Sequence, residues 1–165
     1  PGLQFLQCLV NDAEGGESIF VVGFALAQAL REEDPESFNA LCEIPVEFRN
    51  KDRHSDYRCL APIIALDALG RVAEIRMANF LRGAFDTSVE QMPLLYRAYR
   101  RFIAMTREPR FRLMQRLNPG ELWCFDNRRT LHARNAFDPA TGARHFQGCY
   151  IDRDELLSRI LVLQR

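Results

Sequence analysis

Three side chains of complementary chemistry lie within the stretch 122–150, namely His132, Arg144 and Tyr150. An imidazole can ligate a metal, a guanidinium can bind a carboxylate through two parallel hydrogen bonds, and a tyrosine ring can form an aromatic wall. Residues 138–142 have the Asp, Pro and Gly chemistry of a chain reversal. A hairpin centred in that turn would place His132 directly opposite Arg144 on one face of a sheet. The sequence therefore predicts a small-molecule site on this face.

A lone histidine on a strand is more often structural than a metal ligand, so His132 by itself leaves both interpretations open. Arg144 opposite it favours a ligand. A dicarboxylate could chelate a metal with one end and form a salt bridge to a guanidinium with the other. Continuing by twos from Arg144 brings Phe146, Gly148 and Tyr150 to the same face. Gly148 would leave open space there.

The composition narrows the class of protein. The chain has 165 residues, of which 47% are hydrophobic and 27% charged, as expected of one globular domain. Lys+Arg and Asp+Glu both number 22, so no basic field would recruit nucleic acid or an anionic membrane. We find neither an apolar run of membrane-spanning length nor a signal peptide. Five scattered cysteines without a CxxC pair favour reduced thiols and a cytoplasmic location.

Predicted strands outnumber predicted helices along the chain. The strands are expected at 3–10, 19–22, 46–49, 57–62, 63–67, 72–77, 111–117 and twice within 122–150. The helices are expected at 24–33, 35–43, 89–107 and 152–163, and Asp34 is the expected N-cap of the second. We interpret the arginines of the third helix, Arg97, Arg100 and Arg101, as a solvated face rather than an anion site. We interpret the chain as one α+β domain, mainly β, arranged as a sandwich or jelly roll.

The chain begins with Pro1 rather than Met and enters the strand 3–10 almost at once. We expect a fragment that is incomplete at its N-terminus. A missing strand would leave an unpaired edge beside residues 3–10. We therefore predict dimerisation across that edge, and hence a homo-oligomer, or poor solubility.

Four segments together resemble a known family. They are GGES at 15–18, LNPGELWCFDNRRTLHAR at 117–134, the pair Arg144-x5-Tyr150, and DRDELLSRILVL at 152–163. They are similar to the γ-butyrobetaine dioxygenase family, within the TauD-like Fe(II)/2-oxoglutarate oxygenases. The resemblance implies a double-stranded β-helix, or jelly roll, with flanking helices. It also implies that residues 1–165 form a single partial catalytic domain.

The resemblance assigns roles to five residues and names no general acid or base. His132 matches the distal iron ligand, and Arg144 matches the arginine that binds the far carboxylate of 2-oxoglutarate. Ser18 matches a hydroxyl that donates a hydrogen bond to the same carboxylate. Tyr150 matches an aromatic residue that holds the substrate's trimethylammonium group by cation–π attraction. Asn79 matches an asparagine near the substrate carboxylate.

The chain departs from the family pattern at the other metal ligands. The family's His-x-Asp motif is expected before Pro1, so this chain would lack it. Residues 54–56 spell His-Ser-Asp, but they lie in a charged loop where the family has no ligand. We interpret His145 as structural or as a donor to a neighbouring group. Ala133 replaces the usual Gly, and Val22 stands where relatives commonly have Asp.

The implied function is hydroxylation of a small cationic substrate such as γ-butyrobetaine, a step of carnitine biosynthesis. Fe(II) would be the cofactor, 2-oxoglutarate the co-substrate, and ascorbate a candidate reductant. One alternative is a catalytically inactive fragment without the proximal His-x-Asp ligands. Another keeps the fold and changes the substrate to trimethyllysine or to another small amine or sulfonate.

Overall fold

The computed structural model describes residues 2–165. The strands are β1 Leu3–Asn11, β2 Glu14–Gly15, β3 Ser18–Val22, β4 Val46–Lys51, β5 Asp56–Ala61, β6 Ile64–Leu66, β7 Val72–Ile75, β8 Arg112–Gln115, β9 Leu122–Asp126, β10 Thr130–Arg134, β11 Phe137–Asp138 and β12 Arg144–Ile151. The helices are α1 Gly23–Glu33, α2 Pro35–Glu43, α3 Met92–Met105 and α4 Arg153–Leu163.

The chain divides into two compact units. The residues up to Val21 and Arg112–Arg165 form unit 1, and Val22–Phe111 form unit 2. The strand-rich order and the four helices confirm the α+β, mainly β prediction. A single domain over 1–165 stays a prediction.

Unit 1 is built on two three-stranded sheets. The first sheet has the order β12-β1-β9, and the second has the order β10-β3-β8. Phe20 of β3 is buried, and its ring centroid lies 4.6 Å from that of Trp123 and 5.3 Å from that of Phe125, both on β9. These aromatic contacts between sheets form the core of a sandwich, because each strand turns alternate side chains toward the partner sheet.

The register of the first sheet identifies the side chains on its inner face. Gln4 of β1 pairs with Tyr150 on one side and Phe125 on the other. Two residues along, Leu6 pairs with Gly148 and Trp123. Because Trp123 and Phe125 contact Phe20 of the second sheet, these two rows face the interior of the sandwich.

The predicted hairpin between His132 and Arg144 is wrong. His132 lies on β10 in the second sheet, whereas Arg144 begins β12 in the first sheet. The two strands do not pair with each other because each pairs with a strand from the N-terminal part of the chain, β10 with β3 and β12 with β1. The predicted turn itself does form, because the backbone N–H of Thr141 donates to the carbonyl of Asp138 at 3.2 Å. It does not join β10 to β12 as a hairpin, since the segment between them runs from one sheet to the other.

The predicted unpaired edge beside residues 3–10 is also wrong. β1 is the central strand of its sheet and has antiparallel partners on both sides, β12 and β9. A bulge between Cys8 and Val10 changes its register with β12. Cys8 is fully buried.

Unit 2 contains three helices and two hairpins, β4–β5 and β6–β7. As the sequence predicts, Asp34 caps α2: its Oδ1 accepts a hydrogen bond from the backbone N–H of Ser37 at 3.1 Å. The amphipathic helix expected from residue 89 begins at Met92, with Pro93 in its first turn. It buries Leu95, Phe102 and Met105.

The arginines of α3 form ion pairs with acidic residues of unit 2. Arg97 pairs with Glu36, and Arg101 bonds to Glu33 at 2.6 Å. These contacts agree with the interpretation of the arginine face as solvated rather than anion-binding. No helix within residues 2–165 is long and apolar enough to cross a membrane.

Candidate functional site

His132 lies on the second sheet and faces the first. Its ring centroid is 5.1 Å from that of Phe125, at an interplanar angle of 51°. The side chain keeps surface open to solvent, yet desolvation by the surrounding protein lowers the pKa of His132 below its ordinary value. A neutral imidazole with an accessible side has a lone pair available to a metal ion.

Arg144 is a half-buried cation with aromatic neighbours. Its Cζ lies 3.9 Å from the ring centroid of Phe146 and 5.4 Å from that of Phe137. Its Nη2 donates to the carbonyl of Gly16 at 3.4 Å, whereas its Nε is buried and has no acceptor. Within residues 2–165, no carboxylate forms an ion pair with this guanidinium.

The electrostatics around Arg144 favour an anion. Desolvation is the main cause that lowers the pKa of Arg144, and the nearby charges of Arg134 and Arg116 lower it further. A desolvated cation near two others is costly unless a negative charge is present. A carboxylate bound at this guanidinium would offset that cost.

The GGES turn lies against Arg144. Gly16 has φ +74°, and a Cβ built on it would lie 3.0 Å from Nε of Arg144 and 3.2 Å from Cβ of Phe137. Glycine therefore permits both the left-handed backbone and the close approach. Ser18 is 4% exposed and lies two residues before Phe20 on β3, so it turns to the same inner face.

Tyr150 lies on the same face of β12 as Arg144, Phe146 and Gly148. Its side chain is 58% exposed. The prediction that these residues of β12 share one face is correct. The prediction that His132 lies on the neighbouring strand is not. A Cβ on Gly148 would meet its nearest atom at 3.5 Å, an ordinary contact, so a side chain would fit there.

Sequence reasoning missed several polar side chains in unit 1. The side-chain atoms Gln4 Oε1, Asn11 Oδ1 and Trp123 Nε1 are buried without a hydrogen-bond partner, as Nε of Arg144 is. All four belong to strands of the first sheet. Buried polar atoms without partners are uncommon, and each calls for an explanation such as a bound water, ion or ligand. The one available signal was Gln4, which like Gln7 is a polar residue in the apolar run 3–10.

Asn79 belongs to unit 2, where its Oδ1 accepts a hydrogen bond from the hydroxyl of Tyr99. The Tyr99 ring also lies 4.9 Å from Cζ of Arg82 and 5.3 Å from the ring of Phe85. The predicted contact between Asn79 and a substrate stays a prediction.

The described residues do not form a complete metal centre. Within residues 2–165, no group of three or more His, Cys, Asp or Glu side chains could hold a metal ion. The carboxylate of Asp56 is bonded to Arg49 by two contacts of 2.7 Å, which hold the pKa of Asp56 well below its usual range. His54 is exposed in the loop that precedes β5. A three-ligand iron site does not fit these residues alone. Arg144 has no carboxylate partner among them, and its guanidinium has the chemistry to hold a carboxylate.

Comparisons with known proteins identify the relatives of this chain. Residues 1–150 match the family described as taurine catabolism dioxygenase TauD, TfdA family. The chain is 72% identical over 165 residues to gamma-butyrobetaine dioxygenase of Pseudomonas sp. (strain AK-1), covering all of this chain and 43% of that protein. It is 33% identical over 172 residues to human gamma-butyrobetaine dioxygenase, covering all of this chain and 44% of that protein. The chain thus spans less than half the length of these relatives.

A solved structure shows the same fold. The crystal structure of AAD-2 in complex with Mn(II) and N-oxalylglycine superposes with a TM-score of 0.67 at 17% identity, covering 89% of this chain and 61% of that chain. The double-stranded β-helix prediction is confirmed at the level of the fold. The chain belongs to the TauD, TfdA family of dioxygenases.

Proposed function

We propose that this chain serves in an Fe(II)- and 2-oxoglutarate-dependent dioxygenase that hydroxylates γ-butyrobetaine. The support for this substrate is the 72% identity, across all 165 residues, to a protein named for it. Identity to a yeast trimethyllysine dioxygenase is 32%. γ-Butyrobetaine is therefore favoured over trimethyllysine.

Arg144 carries the proposal. Its buried Nε–H has no acceptor, and no carboxylate within residues 2–165 pairs with it. The distal carboxylate of 2-oxoglutarate would satisfy this guanidinium through two parallel charge-assisted hydrogen bonds. Ser18, buried on the inner face of β3, would donate a further hydrogen bond to the same carboxylate.

Tyr150 would bind the substrate's cationic head. A trimethylammonium group has no N–H to donate, so an aromatic face attracts it through the ring quadrupole. The exposed ring of Tyr150 and the open space at Gly148 on the same face suit such a group. Asn79 remains our candidate contact for the substrate carboxylate.

When bound, iron and 2-oxoglutarate together supply the oxidising chemistry that hydroxylates an unactivated C–H bond. His132 is the residue of this chain that would ligate the metal. The described residues contribute no second and third ligand. We further propose ascorbate as reductant, a cytoplasmic homo-oligomer, and no nucleic-acid or membrane partner.

Calorimetric titration of 2-oxoglutarate into the chain tests the proposal. We expect measurable binding by the wild type and a roughly tenfold to hundredfold loss for Arg144→Ala, because hydrogen bonds to a charged group are removed. Arg144→Lys should recover little, since an ammonium group does not reproduce the planar fork. Arg100→Ala, at an exposed position of α3, is the matched control and should bind as the wild type does.

Equal affinity of the wild type and Arg144→Ala would contradict the assigned role. A second titration compares the substrates in the presence of 2-oxoglutarate. We expect γ-butyrobetaine to bind more tightly than trimethyllysine, and Tyr150→Leu to weaken binding of γ-butyrobetaine. The reverse order of affinities would favour trimethyllysine as the substrate.

A further inference from the structure

Arg116 binds three main-chain carbonyls of one turn. Its Nη1 donates to the carbonyl of Gly15 at 2.6 Å, and its Nη2 donates to the carbonyls of Asn11 at 2.5 Å and Ala13 at 2.8 Å. The turn lies about a hundred residues earlier in the chain. Arg116 is half-buried and follows β8 directly. A single planar cation thus fixes the backbone between β1 and β3.

A second hydrogen-bond contact joins the same two segments. Nδ2 of Asn11 donates to the carbonyl of Leu117 at 2.7 Å, so contacts run in both directions between the turn and residues 116–117. On its other side the turn is held by Thr141, whose hydroxyl accepts from the backbone N–H of Glu14 at 2.8 Å. These contacts leave the turn few alternative conformations.

The far end of this turn touches Arg144. The backbone N–H of Gly16 donates to the carbonyl of Ala136 at 2.9 Å, and the carbonyl of Gly16 accepts from Nη2 of Arg144 at 3.4 Å. The approach of Gly16 to Arg144 leaves no free room, since a Cβ on Gly16 would lie 3.0 Å from Nε. Any displacement of the turn therefore moves the surface against which the Arg144 guanidinium rests.

We infer that Arg116 is a positioning residue for the 2-oxoglutarate site: by holding residues 11–16 it fixes the orientation of the Arg144 guanidinium. The inference rests on the proposed function and deepens it. Arg116 has a second effect, because its own charge adds to the positive potential that an incoming dianion meets. Lysine would keep that charge but lacks the planar fork that bonds three carbonyls at once.

The variants Arg116→Lys and Arg116→Gln separate these two effects. We expect Arg116→Lys to weaken 2-oxoglutarate binding about tenfold, because displaced binding groups lose much of their benefit. Arg116→Gln, which also removes the charge, should weaken it further. Arg112→Lys on β8 is the matched control, an arginine of the same strand segment for which the structure records no side-chain bond to the turn.

Two measurements on the 165-residue chain are made together: calorimetric affinity for 2-oxoglutarate, and hydrogen exchange at the Gly16 amide. We expect both to change in the Arg116 variants and neither to change in Arg112→Lys. Thr141→Val loosens the same turn without touching Arg116, and should weaken binding in the same direction. This milder variant keeps the inference testable if an Arg116 variant fails to fold.

A merely structural Arg116 would lower the unfolding temperature and leave the affinity of the folded protein unchanged. Faster exchange at Gly16 with wild-type affinity for 2-oxoglutarate would overturn the inference and leave the proposed function intact. Failure of the wild-type chain to bind 2-oxoglutarate would overturn the proposed function, and this inference with it.

Discussion

At the scale of single residues, Gly16 and Gly148 differ in backbone conformation and in the space that surrounds them. Gly16 has a left-handed backbone and close neighbours, whereas Gly148 has no positive φ and enough space for a methyl group at ordinary contact distance. A methyl group added at each position therefore separates stability from ligand binding. We expect the fold to require glycine at position 16, and ligand binding rather than the fold to require it at position 148.

We predict that Gly16→Ala destabilises the protein by about 1 kcal/mol or more, since an L-residue pays that much in the left-handed region. It should also weaken 2-oxoglutarate binding, because its Cβ would displace Arg144. Gly148→Ala should raise stability by roughly 0.5 kcal/mol, because it reduces the entropy of the unfolded chain. It should nevertheless weaken γ-butyrobetaine binding by narrowing the space beside Tyr150.

Urea unfolding and calorimetry of the same two variants check this pair. The 2-oxoglutarate affinity of Gly148→Ala should equal that of the wild type, which makes this variant the control for Gly16→Ala. Unchanged γ-butyrobetaine affinity in Gly148→Ala would place the cationic head elsewhere.

Residue types indicated part of the candidate site in advance. An imidazole, a guanidinium and an aromatic ring on inward positions are visible in the sequence at His132, Arg144 and Tyr150. The positioning role that we infer for Arg116 is not visible in the sequence. Its partners are main-chain carbonyls about a hundred residues away, and such acceptors have no sequence signature. Trp123 is not indicated by the sequence for a related reason. Its N–H is notable only because no acceptor faces it.

At the scale of elements, local patterns predicted where strands and helices lie better than how the strands pair. The cap at Asp34, with Pro35 in the first turn, marks the start of α2 in the sequence and in the structure. The pairing of β10 and β12 was mispredicted, because short-range turn chemistry at 138–142 suggested a hairpin. Period-2 alternation says which residues share a face of a strand but not which strand lies beside it.

Substitution of Phe20 tests, at the scale of elements, whether the contact between the two sheets stabilises the sandwich. Its buried ring contacts Trp123 and Phe125 of the opposite sheet. We predict that Phe20→Ala lowers the free energy of unfolding by about 3–5 kcal/mol, as expected when a large aromatic side chain is removed from a core. Phe80→Ala is the control, because Phe80 is 88% exposed and its loss should change stability by less than about 0.5 kcal/mol.

Urea denaturation followed by far-UV circular dichroism measures both variants. Equal losses in Phe20→Ala and Phe80→Ala would mean that the contact between the two sheets contributes little to stability. Phe20→Leu should fall between the wild type and Phe20→Ala, because it keeps part of the buried area.

At the scale of the whole molecule, net charge and exposed apolar surface both affect whether copies of the chain associate. The formal net charge is zero and the isoelectric point is about 7.3, so electrostatic repulsion between copies is weakest near neutral pH. α4 exposes several large apolar side chains, among them Leu157 at 54% and Leu161 at 61%. The sequence predicted association through an edge beside β1, but that strand is paired on both sides. The exposed apolar residues of α4 are the better candidate for the contact.

We predict that the weight-average mass of the chain, measured by sedimentation equilibrium, is highest near pH 7.3 and falls at pH 5.5 and pH 9. Net charge of either sign adds repulsion between copies, while the exposed apolar area on α4 stays the same.

The double variant Leu157→Glu/Leu161→Glu should lower the mass at pH 7.3, because it removes apolar surface and adds charge at the same place. Leu69→Glu, at a 75% exposed position in unit 2, adds charge at a residue outside α4 and should lower the mass less. A monomer mass at pH 7.3 over a wide range of concentrations would rule out the predicted homo-oligomer. Equal effects of the α4 and Leu69 variants would show that net charge alone, and not the α4 surface, controls association.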